Sequence, residues 1–193
     1  MGASERSLST RDTVLLIIHA CGDRVEGRTV LQKLAYFASL ALHTGLGHRA
    51  HYYGPFSPKV EDALNNAVIA GELHETVERM PDWHGGPDLL KYTYTLDHAG
   101  ERRVDSLIEN HPQAWDRIHG AVTAIQDALP NLDQKTLSSA AKTHLIVSEA
   151  EGPVPVEEIP VFARRLGWHL SPTQVTRTVD ILQKLQLVDV KDP

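Results

Sequence analysis

One cysteine, Cys21, among 193 residues excludes an internal disulfide, and its place in an apolar helical stretch fits a reducing cytoplasm, the expected location. Long apolar runs are also missing: Val14-Leu15-Leu16-Ile17-Ile18 stops at His19, far short of the roughly 18 residues that span a bilayer, so no membrane association is expected. The first twelve residues are polar and mixed in charge, which gives no apolar core for a secretory signal. An excess of positive charge is absent. The net charge of −6 argues against a protein that coats nucleic acid. Gly-rich phosphate loops, HExxH and GxSxG are absent too, so the chain is expected to be no enzyme and to need no cofactor.

What is present is helical periodicity with uneven charge. Residues 1–60 hold seven Lys/Arg against four Asp/Glu, and residues 61–193 hold twelve against twenty-one, so the front is mildly basic and the rest acidic. The spacing predicts helices over Thr10 to Cys21, with Thr10 as cap, and over Arg28 to Leu42, with Val30, Leu31, Leu34, Phe37, Ala38 and Leu42 inward. Ser57-Pro58 starts a third helix that runs to about Gly71. Strands follow near Leu73–Met80 and Leu89–Leu96, where Tyr92 and Tyr94 alternate with threonines. Three helices and then a hairpin is the winged-helix order. A helical stretch interrupted at His111-Pro112 reads as a connection. Further helices then run from Asp133 to Glu149, from Val156 to Leu166 and from Ser171-Pro172 to Leu185, with one short last strand expected at Leu187 to Val190. The expected class is mainly α with a minor α+β part, in two winged-helix-like lobes: residues 1–100, a connection over 101–130, and residues 131–193.

The most distinctive residues are Gly27-Arg28-Thr29-Val30-Leu31-Gln32-Lys33-Leu34-Ala35-Tyr36-Phe37 followed by Tyr52-Tyr53-Gly54-Pro55-Phe56-Ser57. A helix of this kind before a Tyr-Gly-Pro turn resembles the Panacea-type antitoxin-associated domain and the related YwgA-like bacterial and archaeal proteins. Leu166-Gly167-Trp168-His169-Leu170-Ser171 is similar to the C-terminal part of YwgA-like chains. The resemblance covers residues 10–100 well and 133–188 loosely. It implies a winged-helix-like regulator or accessory subunit in toxin–antitoxin or other defence systems, whose partner is a protein, and it implies no reaction.

Two readings of the motif stand side by side. Gln32 and Lys33 share a helix with Leu31 and Leu34, so a polar head must lie near the packed layer and bond the loop backbone. Alternatively, Arg28, Gln32, Lys33 and Tyr53 contact a partner, together with Trp83 in the glycine-rich hairpin tip. A homodimer is a further open arrangement.

DNA binding is the rival function. The third helix would present Lys59, Glu61, Asp62, Asn65 and Asn66, and carboxylates facing phosphates oppose binding. The last helix and its neighbour are better suited, through Arg164, Arg165, Thr173, Gln174 and Arg177. Eleven histidines raise the question of a metal, but His43, His48 and His51 have no acidic or thiol ligand at suitable spacing, and no metal is expected.

Overall fold

In the computed structural model, which describes residues 8–81 and 89–188, helix α1 (Thr10–Ala20) has no exposure at any residue from Val14 to Ile18. Five successive buried residues leave a helix without a solvent face, so it must be surrounded. Its cap is Ser9, whose hydroxyl accepts from the Asp12 N–H at 3.1 Å, and Thr10 is the first helical residue instead. Ser9 is extended and so frees its side chain to turn back on the first turn, which a residue already in helical conformation does less well.

The chain continues through β1 (Arg24–Glu26), α2 (Arg28–Ala41), α3 (Pro58–Ile69), β2 (Leu73–Met80) and β3 (Leu89–Leu96). The strands form one antiparallel sheet in the order β1-β3-β2, with Leu73 opposite Leu96 and Val25 opposite Tyr94. These four residues are buried on one face. The hairpin of β2 and β3 lies where the sequence places it, whereas β1 is an addition. Farther out along the same face Val77 and Leu90 are 46% and 47% exposed, so the hairpin outruns the body it packs on.

Helices α4 (His98–Asn110), α5 (Pro112–Ala128), α6 (Gln134–Glu149), α7 (Ile159–Arg165) and α8 (Pro172–Lys184) complete the fold, with single 3-10 turns at Pro130–Leu132 and Val156–Glu158. The class is mainly helical with a small antiparallel sheet, as expected. Residues 101–130 do more than connect. Ile118, Val122 and Ile125 of α5 are buried, and α5 packs against both α1 and α2. Helix α6 packs on α2 and, on its other side, on α8 and α7. One apolar core therefore runs from Val14 through Leu137 to Leu182. Leu187 and Val188 form no strand, and Asp189 and Val190 lie outside the described residues. No helix among the described residues is long and apolar enough to cross a membrane.

Candidate functional site

The loop between α2 and α3 carries the Tyr-Gly-Pro motif, and α2 holds it from below. The Gln32 amide forms a reciprocal pair with the backbone of Ser57: its N–H donates to the Ser57 carbonyl and its oxygen accepts the Ser57 N–H, each at 3.0 Å. Such a pair satisfies both backbone groups of one residue and sets the loop in a single register. Lys33, 1% exposed, donates from Nζ to the Pro55 carbonyl at 2.7 Å. The Ser57 hydroxyl donates to the Leu46 carbonyl at 2.5 Å and accepts from the Val60 N–H at 3.2 Å, so one side chain caps α3 and closes the loop. The partners of Gln32 and Lys33 are thus Ser57 and Pro55, and neither side chain is free at the surface.

Gly54 sits over this clamp with φ +97°, a left-handed conformation that suits glycine. A Cβ there would lie 3.0 Å from Lys142 Cγ and 3.4 Å from Lys33 Cε, so the turn rests on two lysine stems. The C-terminal half adds a third support, because the buried Trp168 donates from its indole N–H to the His51 carbonyl at 2.7 Å. Lys142 lies over the Trp168 ring at 5.5 Å from its centroid. Above these supports Tyr52 and Tyr53 are 71% and 58% exposed, with their rings edge to face at 4.9 Å.

Burial governs the electrostatics beneath the turn. Desolvation, with Lys142 adding repulsion, lowers the Lys33 ammonium to about 8. Burial alone lowers Lys142. His48 and His144 are each held down to about 4, chiefly by burial. Burial pushes the Tyr36 hydroxyl up, and it shares a hydrogen bond with His144 Nδ1 at 2.7 Å. His48 packs edge to face on the Tyr36 ring, and its Nε2 is buried without a partner among the described residues. A lowered amine is a nucleophile only where a substrate can reach it. Lys33 is closed off and bonded to a carbonyl, so its chemistry here is that of a strut.

Arg28, expected at a partner surface, is turned to the sheet. Its Nε donates to the Tyr94 hydroxyl at 2.7 Å, its Nη2 pairs with Glu75 at 3.1 Å, and its guanidinium lies 4.0 Å from the Tyr92 ring centroid. Desolvation opposes the Arg28 charge, but the bonds to Tyr94 and Glu75 outweigh it and raise its pKa. Of the proposed contact residues, only Tyr53 is on the outer surface of the turn, and Trp83 lies outside the described residues. On α3, Lys59, Asp62, Asn65 and Asn66 are exposed and Glu61 is half-buried, so the acidic face read from the sequence is largely outward.

The residues of the rival reading lie on α7 and α8. Arg164, Arg165, Thr173 and Arg177 are exposed. Gln174 completes a capping box at the start of α8: its Oε1 accepts the Ser171 N–H at 2.9 Å, and its own N–H reaches the Ser171 hydroxyl at 3.2 Å. Arg177 and Gln174 line a groove between α8 and the first turns of α6, and Arg164 and Arg165 do not join them.

Two contributors to the turn escape a reading of the motif alone, Lys142 and Trp168. Trp168 had a signal, since it stands in the second stretch that resembles YwgA-like chains, but a pairing across 117 residues is not written in local spacing. Tyr52 stands next to Tyr53 and is the more exposed of the two. Cys21 is inert, its thiol pushed up to about 12 by burial. No group of three metal-ligating side chains occurs among the described residues. No protein-family model matches this chain, and no curated protein matches it.

Proposed function

We propose that this chain is a non-catalytic protein-interaction module that meets its partner through the Tyr52-Tyr53 turn. The observation that carries the reading is a contrast in one loop. Two adjacent aromatic side chains are exposed, while the backbone beneath them is clamped by Gln32, Lys33 and Trp168. An aromatic pair held rigid before binding loses little conformational freedom on contact, which is the economy of an interface anchor. The resemblance of the α2 and Tyr-Gly-Pro motifs to Panacea-type and YwgA-like proteins supplies the class: an antitoxin-like or defence-system accessory subunit with a winged-helix-like first half and a toxin or defence protein as partner.

The test is co-expression with the product of the adjacent gene, followed by size-exclusion chromatography. A stoichiometric complex is expected, and replacing Tyr52 and Tyr53 with alanine is expected to weaken it by more than about tenfold, or about 1.4 kcal/mol. A complex indifferent to both substitutions removes the turn from the interface.

A second reading, a DNA-binding regulator acting through the C-terminal half, is favoured by the exposed Arg164, Arg165 and Arg177. It requires salt-sensitive duplex binding that Arg164→Ala/Arg165→Ala weakens.

A further inference from the structure

The groove between α6 and α8 has a volume of about 220 Å³ and is lined by Asp133, Lys135, Ser139, Gln174 and Arg177, with Thr136 and Thr178 at its base. Its hydrogen-bonding groups divide sharply into those already used and those still available. The Asp133 carboxylate accepts the Thr136 N–H at 2.9 Å as the cap of α6; hydrogen bonds from the Thr136 side chain and backbone lower its pKa, and the nearby Arg177 charge adds to this without a direct bond. The Ser139 hydroxyl donates to the Lys135 carbonyl at 2.9 Å, and the Thr178 hydroxyl donates to the Val175 carbonyl at 2.9 Å. The Gln174 oxygen is taken by the Ser171 N–H.

The remaining groups are the Lys135 ammonium, the Arg177 guanidinium and the Gln174 side-chain N–H₂. All three only donate. Neither cation has an ion-pair partner within bonding distance among the described residues. Two cations against the single Asp133 carboxylate leave the groove with a net positive charge in a protein whose net charge is −6. The opening turns of α6 and α8 add a potential of the same sign.

We propose that this groove binds a phosphate group. Three separate donors, one of them a planar guanidinium fork, suit an anion with several terminal oxygens, and arginine beside lysine is a common pairing for phosphate. The phosphate belongs either to a free phosphorylated compound or to a nucleic-acid backbone. The site is independent of the Tyr52-Tyr53 surface, so either assignment stands without the other.

The experiment titrates the full chain at low salt, by calorimetry, with inorganic phosphate in one arm and a short mixed-sequence duplex DNA in the other. Arg177→Gln and Lys135→Gln are the test variants. Lys184→Gln, on α8 outside the groove, is the control for a general loss of positive charge. Saturable phosphate binding that weakens about tenfold or more in Arg177→Gln and persists in Lys184→Gln establishes a site for a free phosphate. Duplex binding with the same pattern of variants, and no response to phosphate alone, assigns the site to a nucleic-acid backbone. Absence of binding in both arms, or binding that Arg177→Gln leaves unchanged, overturns the proposal.

Discussion

The indole N–H of Trp168 reaches across 117 residues of chain to donate to the His51 carbonyl at 2.7 Å, which ties the C-terminal half to the turn that α2 holds from below. Trp168→Phe keeps a large apolar ring but deletes the donor and leaves the His51 carbonyl without its partner. A cost of about 1–3 kcal/mol is expected, with faster amide exchange confined first to residues 49–56. Denaturant unfolding and hydrogen exchange measure the two. Unchanged protection in that loop would show that Trp168 stabilises only by packing.

Lys33 sets a pH dependence with a definite sign. Its folded pKa of about 8 is below its ordinary value of 10.5, so between these limits the unfolded chain holds a proton that the folded chain lacks. The Lys33 contribution to stability therefore rises as pH increases through that window, by roughly 3 kcal/mol in all. Lys33→Met should flatten this rise relative to the parent when unfolding free energies are compared from pH 7 to 10. Parallel curves for the two proteins would rule out a buried Lys33 charge.

The acid side is governed by His48 and His144. Each has its folded pKa lowered from 6.5 to about 4, so stability is lost as pH falls from about 6.5 and the loss is complete near 4. A leucine of similar bulk removes the orphaned His48 Nε2 and the proton uptake, and it also deletes the hydrogen bond of the ring to the Gln32 backbone. The melting temperature of His48→Leu relative to the parent is expected to be higher at pH 5 than at pH 7.5. An equal difference at both values would mean that His48 does not titrate with folding.

Gly100 in α4 tests a close approach. In an open helix Gly→Ala stabilises by about 1 kcal/mol. Here a Cβ would collide with the Glu72 carbonyl oxygen, the same oxygen that accepts the Asp97 N–H at 3.0 Å, and would also meet Leu96 Cδ2 at 2.9 Å. The collision involves backbone, which cannot rotate away, so the overpacking cost of about 1–3 kcal/mol is expected to win. A raised melting temperature in Gly100→Ala would show that α4 does not sit so closely against the backbone at Glu72.

The local elements were legible because their signals are local. Ser57, Asp133 and Ser171 each cap the helix that begins one residue later, whereas α2 is buried without a break from Val30 to Ser39 and β3 buries Thr93 beside Tyr94, which goes beyond the faces that spacing and alternation mark out. Strand β1 was not legible. Three residues are too few for a period to register, and they become a strand only by lying beside Glu26's and Val25's partners, Thr93 and Tyr94. The partners of Arg28 were not legible for a related reason: from sequence it is a charge at the start of a helix, and Tyr94 and Glu75 are 66 and 47 residues away.

By itself, then, the sequence determined where α2, α3, α6 and α8 begin and where the two strands of the β2–β3 hairpin lie, because caps, periodicity and proline act within a few residues. Only the tertiary structure decided that α5 and α6 join the core of the first half, that Gln32 and Lys33 spend their polar groups on Ser57 and Pro55, and that Tyr52 and Tyr53 are left outward. Those outcomes depend on which distant groups meet when one core is filled. A buried ammonium takes whatever acceptor the packing brings to it, and no spacing along the chain specifies that partner.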